Sequence, residues 1–138
     1  MAVLSGVWLS QRQGFVPGDA SDLDQVAFGA RVYQNVCANC HGADLDGQLG
    51  WQEPMRDGTR LAPAHNTEGQ TWRYSDETLF NVVKFGGDQF KTDGSPSRMP
   101  AFENRLTDDE IWAAIAYFKS SWPTDVLEAQ QNTASTKP

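Results

Sequence analysis

The stretch Gly29-Ala30-Arg31-Val32-Tyr33-Gln34-Asn35-Val36-Cys37-Ala38-Asn39-Cys40-His41 holds the two cysteines of this 138-residue chain, three positions apart, with a histidine directly after the second. Read towards the N-terminus, it is the end of a helix. Asp22 is a candidate N-cap with Gln25 three residues on, the spacing of a capping box, and Val26, Gly29, Tyr33 and Val36 to Cys37 recur on one face. The helix is expected from Ser21 or Asp22 to Cys37. Gly29 inside it costs about 1 kcal/mol relative to alanine. Either another backbone or ring approaches closely there or the glycine is merely tolerated, and the sequence alone leaves both open.

The spacing of the cysteines carries a specific chemistry. Two thiols near the end of one helix can each add to a vinyl group of the same haem, and the next residue, His41, then lies over the porphyrin with a ring nitrogen available to the iron. Three other readings share part of the pattern. A zinc site needs two further ligands at matching spacing, and only His65 remains. A dithiol pair of the thioredoxin kind wants a strand before the motif, where a helix is expected here. A disulfide between Cys37 and Cys40 would close a small strained loop and give His41 no role. One haem c, covalent through Cys37 and Cys40 and ligated by His41, fits the spacing best.

For the sixth ligand the chain offers Met1, Met55, Met99 and His65. Met99 is the leading candidate: it sits between Arg98 and Pro100 in the loop before the last helix, and Pro100 biases it to an extended backbone that projects a side chain. His65, Met55 or an open position are the alternatives; a methionine can equally fill a gap in the core, and His65 reads as a loop residue that hydrogen-bonds locally. His/Met ligation would favour ferrous iron, raise the reduction potential and leave no vacancy for oxygen or peroxide, which suits electron transfer and not catalysis.

Further outward, Gly42 to Tyr74 has glycine and proline at short intervals and no sustained period, too long for an ordinary loop unless it wraps around something. A second helix, capped by Ser75, should bury Leu79, Phe80, Val82 and Val83 and end at Gly86-Gly87. Asp88 to Glu103 is another loop. Thr107-Asp108-Asp109-Glu110 is a capping box opening a third helix, with Ile111, Ala114, Ile115 and Phe118 as its stripe and Trp122-Pro123 as its stop. No strand signal is convincing. The expected fold is all-α, three main helices and long loops wrapped around one covalent haem, with the domain over 22–123. Residues 1–21 read as an extension ending in a linker, its apolar start being a poorly ordered arm, an arm for a partner subunit, or the remnant of an anchor or export signal; residues 124–138 read as a polar, frayed tail.

Composition agrees with a domain built around a cofactor. Apolar residues make up 39%, charged ones 21%, and five of the fifteen aromatics are tryptophan. Mean hydropathy is -0.54, so the apolar supply is modest but concentrated in large rings. The aromatics argue against disorder, and no apolar run approaches the roughly 20 residues of a membrane span. A net charge of -7, from 11 bases against 18 acids, with no basic stripe, argues against nucleic-acid binding.

With these residues in view, the chain resembles a class I c-type cytochrome, specifically a small bacterial monohaem one, over about Asp22 to Trp122. Gly29, Tyr33, Cys37, Cys40 and His41 match that family's first-helix pattern; Ala114, Tyr117 and Phe118 match its last helix, which crosses the first at the glycine; Met99-Pro100-Ala101-Phe102 resembles its ligand loop. The resemblance implies that the Pro63 carbonyl accepts from the free ring nitrogen of His41, and that Trp72, with Arg73 or Tyr74 beside it, donates to a haem propionate. It also implies a protein matured in the periplasm or on the outer face of the bacterial inner membrane. The longer segment between His41 and Pro63 and the acidic charge depart from mitochondrial members. The function expected is one-electron transfer by a periplasmic carrier that turns over no substrate, with redox proteins as donor and acceptor. The alternatives are a fixed haem subunit of a larger membrane redox complex, attached through its N-terminus, and a haem sensor or small haem enzyme with a labile sixth ligand.

Overall fold

The computed structural model of the chain describes residues 9–90 and 94–135. Helix α1 (Leu23–Val32) starts where expected, with the Asp22 side chain accepting from the Gln25 backbone N–H at 3.2 Å. The Gln25 side chain serves another purpose: it accepts from the Gly18 N–H at 2.8 Å and donates to the Val16 carbonyl at 3.0 Å. It thereby fixes the preceding segment to the helix. The helical path does not stop at Cys37. It widens into a π-helical turn (Tyr33–Cys37) and continues as α2 (Ala38–His41), which ends at Gly42. Such turns insert a residue into a helix and recur at functional sites.

Helix α3 (Asp76–Phe85) is capped by Ser75 and ends at Gly86. Helix α4 (Asp108–Lys119) has the complete capping box: Thr107 Oγ1 accepts from the Glu110 N–H at 3.2 Å, and Glu110 Oε2 accepts from the Thr107 N–H at 2.7 Å. Loops and two short 3-10 turns (Thr71–Arg73 and Asp88–Phe90) join these helices, and no strand occurs among the described residues.

The crossing of α1 over α4 organises the core and settles the question about Gly29. A Cβ at that position would lie 1.8 Å from the Ala113 carbonyl oxygen. Only a residue without a side chain lets the two backbones meet so closely. Around this contact Tyr33, Leu79, Ile111, Ile115, Phe118 and Trp122 form the buried cluster, joined by Leu45 from the long loop.

Two sequence expectations are corrected. Residues 124–135 are not a frayed tail but a further helix, α5 (Thr124–Ser135), so four helices of ten or more residues occur among the described residues where three were expected. Val126 and Leu127 pack on the core, and the buried Gln130 donates to the Tyr74 carbonyl at 3.1 Å and to Asp76 at 2.7 Å. Residues 9–21 likewise form a strap on the domain. Leu9 is buried, and the Ser10 N–H donates to Asp109 at 3.1 Å. The Arg12 guanidinium pairs with Asp22 and Asp24, and the Gly18 carbonyl accepts from Lys119 Nζ at 2.9 Å. The expected anchor or signal remnant in residues 1–8 lies outside the described residues.

Candidate functional site

The π turn and α2 place Cys37, Cys40 and His41 on one continuous helical path. Both thiols are free, Cys40 exposed and Cys37 partly buried. Burial, with the Cys40 thiol beside it, pushes the Cys37 thiol up to about 11. A thiol so raised stays protonated at neutral pH, the opposite of the depressed thiolate that dithiol exchange uses. The described residues also bring together no group of three or more His, Cys, Asp or Glu side chains of the kind a zinc ion needs.

His41 is buried, and its Nδ1 lies 2.8 Å from the Pro63 carbonyl. A carbonyl can only accept, so Nδ1 carries the proton and Nε2 keeps its lone pair. Burial lowers the affinity of His41 for a second proton, and the carbonyl contact opposes this only in part. The chain therefore presents a neutral, oriented imidazole, the form in which histidine ligates a metal. The long loop brings Pro63 to that position by folding back on the helix end. The Gly47 N–H donates to the His41 carbonyl at 2.8 Å, and the Gln48 N–H to the Ala62 carbonyl at 2.9 Å. A Cβ at Gly47 would stand 2.6 Å from the Ala64 nitrogen, so the turn after α2 touches the Pro63-Ala64 backbone directly. Tyr33, buried one helical turn before the motif, donates its hydroxyl to the Gly42 carbonyl at 2.7 Å and closes the same helix end. Burial holds that phenol above its ordinary range, with the neighbouring Cys37, Tyr117 and Asp46 adding to the effect.

Two rings continue from His41. His65 stacks on it with centroids 4.2 Å apart, and Phe118 stacks on the other side at 4.7 Å. His65 makes the local hydrogen bond expected of it, Nδ1 to Thr71 Oγ1 at 2.7 Å. Burial, and secondarily the adjacent His41, holds His65 well below its ordinary value. The stack itself was not legible in the sequence, because the separation of residues 41, 65 and 118 gives no local signal.

The other expected site residues occupy built positions. Met99 is partly buried in the loop before α4; its N–H donates to Ser97 Oγ at 3.1 Å, and its carbonyl accepts from the Gly87 N–H at 3.1 Å. The Ser97 N–H in turn donates to Asp88 at 2.7 Å, so the end of α3 holds this loop. Met55, the other methionine weighed, is 40% exposed. The Trp72 indole N–H donates to the Gly69 carbonyl at 3.1 Å, with the Arg73 guanidinium 5.2 Å above the ring. That donor would have to share or leave Gly69 to reach a propionate. Two thiols three residues apart and a neutral imidazole with a free Nε2 are the donor set that a haem c requires, and these residues fit it.

Comparison with known proteins agrees with this chemistry. The family model described as cytochrome C oxidase, cbb3-type, subunit III matches residues 24–118, more than half of the chain. A curated relative, the cytochrome c subunit of alcohol dehydrogenase (quinone) from Gluconobacter oxydans (strain 621H), is 32% identical over 123 residues, 88% of this chain. The chain spans only 24% of that relative's length. Among solved structures, cytochrome CL from the marine methylotrophic bacterium Methylophaga aminisulfidivorans MPT superposes with a TM-score of 0.54 over 86% of this chain and 72% of that one, at 23% identity, which shows the shared fold. With the helices, the cysteine pair and the oriented histidine, these matches make the chain a member of the cytochrome c family, a small all-α class I c-type cytochrome whose work is haem-based electron transfer.

Proposed function

We propose that the chain holds one haem c by thioether bonds from Cys37 and Cys40, with His41 and Met99 as axial ligands, and works as a one-electron carrier on the periplasmic side of a bacterial inner membrane. The observation that carries this reading is the His41 Nδ1 contact with the Pro63 carbonyl, directly after the cysteine pair. When bound, the haem supplies the ferrous/ferric couple. The chain's own residues do the rest. Pro63 fixes the tautomer of His41 and raises its basicity. Ser97, Gly87 and Asp88 hold the backbone that carries Met99. Trp72 and Arg73 form the side assigned to the propionates. No residue is given a role in turning over a substrate.

A second reading, a fixed haem subunit of a larger membrane redox complex, is favoured by the name of the Gluconobacter relative. Co-purification with a dehydrogenase or membrane fraction would separate the two. Among the described residues, no helix is long and apolar enough to cross a membrane.

An optical spectrum tests the ligand assignment. The ferric protein should show the weak far-red band of a methionine–iron bond, and Met99→Ala should abolish it, lower the reduction potential and allow the ferrous protein to bind carbon monoxide. A band that survives in Met99→Ala would remove Met99 from the site and return Met55 to consideration.

A further inference from the structure

The strongest feature left over by this reading is the ring beside the ligand. We infer that His65 is a positioning residue for His41, a rigid flat wall that fixes the rotation of the ligating imidazole. The inference rests on the reading of His41 as an iron ligand.

A hydrogen bond from Nδ1 to a single carbonyl leaves a ring free to swing about that contact. The Pro63 carbonyl alone therefore fixes which nitrogen faces away from it, not the plane of the ring. The His65 ring supplies the missing constraint by lying nearly parallel to His41, with 28° between the planes and centroids 4.2 Å apart. Phe118 backs it from the opposite side at 18°. His65 itself is held at its backbone and at its ring. Its N–H donates to the Leu45 carbonyl at 2.8 Å, its carbonyl accepts from the Trp122 indole at 2.7 Å, and its Nδ1 bonds Thr71.

The Thr71 hydroxyl donates to the Ala64 carbonyl at 3.3 Å, so its oxygen accepts from His65 Nδ1, which fixes the tautomer of the second ring as well. Thr71 and Ala64 are both buried. An aliphatic residue would fill this space without any of these partners. A polar ring placed there needs the Thr71–Ala64 relay to satisfy it, and what the relay secures is a flat face of fixed angle against His41.

The test uses the ferric holoprotein and three variants: His65→Ala, which removes the wall; Thr71→Val, which keeps its shape and releases the ring; and His65→Phe, which keeps a flat ring. The angle of an axial imidazole controls the spread of the paramagnetically shifted haem-methyl proton resonances and the anisotropy of the electron paramagnetic resonance signal. A residue that only fills space leaves both unmoved once the protein is folded. His65→Ala should change the order or spread of the methyl resonances and broaden or split the resonance signal. Thr71→Val should shift both in the same direction by less, and His65→Phe should lie closer to the wild type than His65→Ala does. Wild-type patterns in both His65→Ala and Thr71→Val would overturn the inference.

His65→Phe also separates this inference from the reading beneath it, because it leaves His41 as the one histidine of a chain that has two. A nitrogen hyperfine coupling from 15N-histidine in that variant identifies His41 as the ligand. Its loss would overturn the ligand reading and the inference together; its retention with unmoved methyl resonances in the other two variants overturns only the inference.

Discussion

Replacing Gly29 by alanine sets two well-defined effects against each other. In an isolated helix the substitution should stabilise by about 1 kcal/mol, the difference in helix propensity. In this fold the new Cβ would stand 1.8 Å from the Ala113 carbonyl oxygen, 2.4 Å from the Ala113 carbonyl carbon and 3.0 Å from the Tyr117 Cβ. Two of these obstacles are backbone atoms in the middle of α4, so no side-chain rotation relieves them. To restore ordinary contact the helices must part by about 1.5 Å, and a gap of even half that size forfeits a quarter or more of each dispersion contact across it. Overpacking in a tight core costs about 1–3 kcal/mol, and this overlap lies at the severe end.

After the gain in propensity is subtracted, a net destabilisation of about 2 kcal/mol is expected. For a domain of this size that corresponds to a fall in Tm of about 6–10 °C. Far-UV circular dichroism of the holoprotein, melted beside the wild type, measures it. A Tm equal to or above that of the wild type would refute the close crossing of α1 and α4.

Two other substitutions test polar ties of the fold. Lys119→Met removes a cation whose side chain is 9% exposed and whose Nζ bonds Asp76 at 2.7 Å and the Gly18 carbonyl at 2.9 Å. Asp76 is about one-third exposed and can rehydrate, so the loss should be about 2 kcal/mol and not the 3–5 kcal/mol of a fully buried pair. It should come with faster proteolysis within residues 10–20, and an unchanged urea midpoint would show that the strap is not held by this tie. Tyr33→Phe should cost about 1 kcal/mol at pH 7, the worth of the hydroxyl bond to the Gly42 carbonyl. The folded phenol holds its proton above the ordinary value of 10.0 while the unfolded one releases it, so wild-type stability is complete below about pH 10 and falls by up to about 1.4 kcal/mol per pH unit above it. The phenylalanine variant lacks that loss, so the gap between the two should narrow above pH 10; a gap constant from pH 8 to 11 would contradict a protonated, buried Tyr33.

The parts of this molecule that could be read beforehand are those whose partners are close in sequence or whose chemistry admits few uses. The Thr107–Glu110 box is complete within four residues, and it was found where expected. The cysteine pair and His41 have a spacing with few chemical explanations. Gly29 stood out as a cost to its own helix, but the reason for the cost, Ala113, lies more than 80 residues away and became visible only in the crossing. Asp22 and Gln25 show the limit of local patterns: the cap formed, yet the glutamine oxygen accepts from the Gly18 N–H and not from the Asp22 backbone N–H, which donates to the Asp19 carbonyl.

The strap and α5 were misread for a common physical reason. Glycine and proline mark the strap as linker and polarity marks α5 as tail, and neither signal shows a partner distant in sequence. Their polar groups find partners elsewhere in the fold: Ser10 at Asp109, Gly18 at Lys119, and Gln130 at Asp76 and Tyr74. Asp76 receives both Lys119 and Gln130, so the first turn of α3 links the strap, α4 and α5 through one carboxylate. A domain that cedes much of its interior to a cofactor has little aliphatic core with which to hold its ends. Partly buried hydrogen bonds to a charged group are a substitute that hydropathy patterns do not reveal. On this view the acidic composition of the chain is not only a surface property, because at least Asp76 and Asp109 serve as internal fasteners for segments that would otherwise fray.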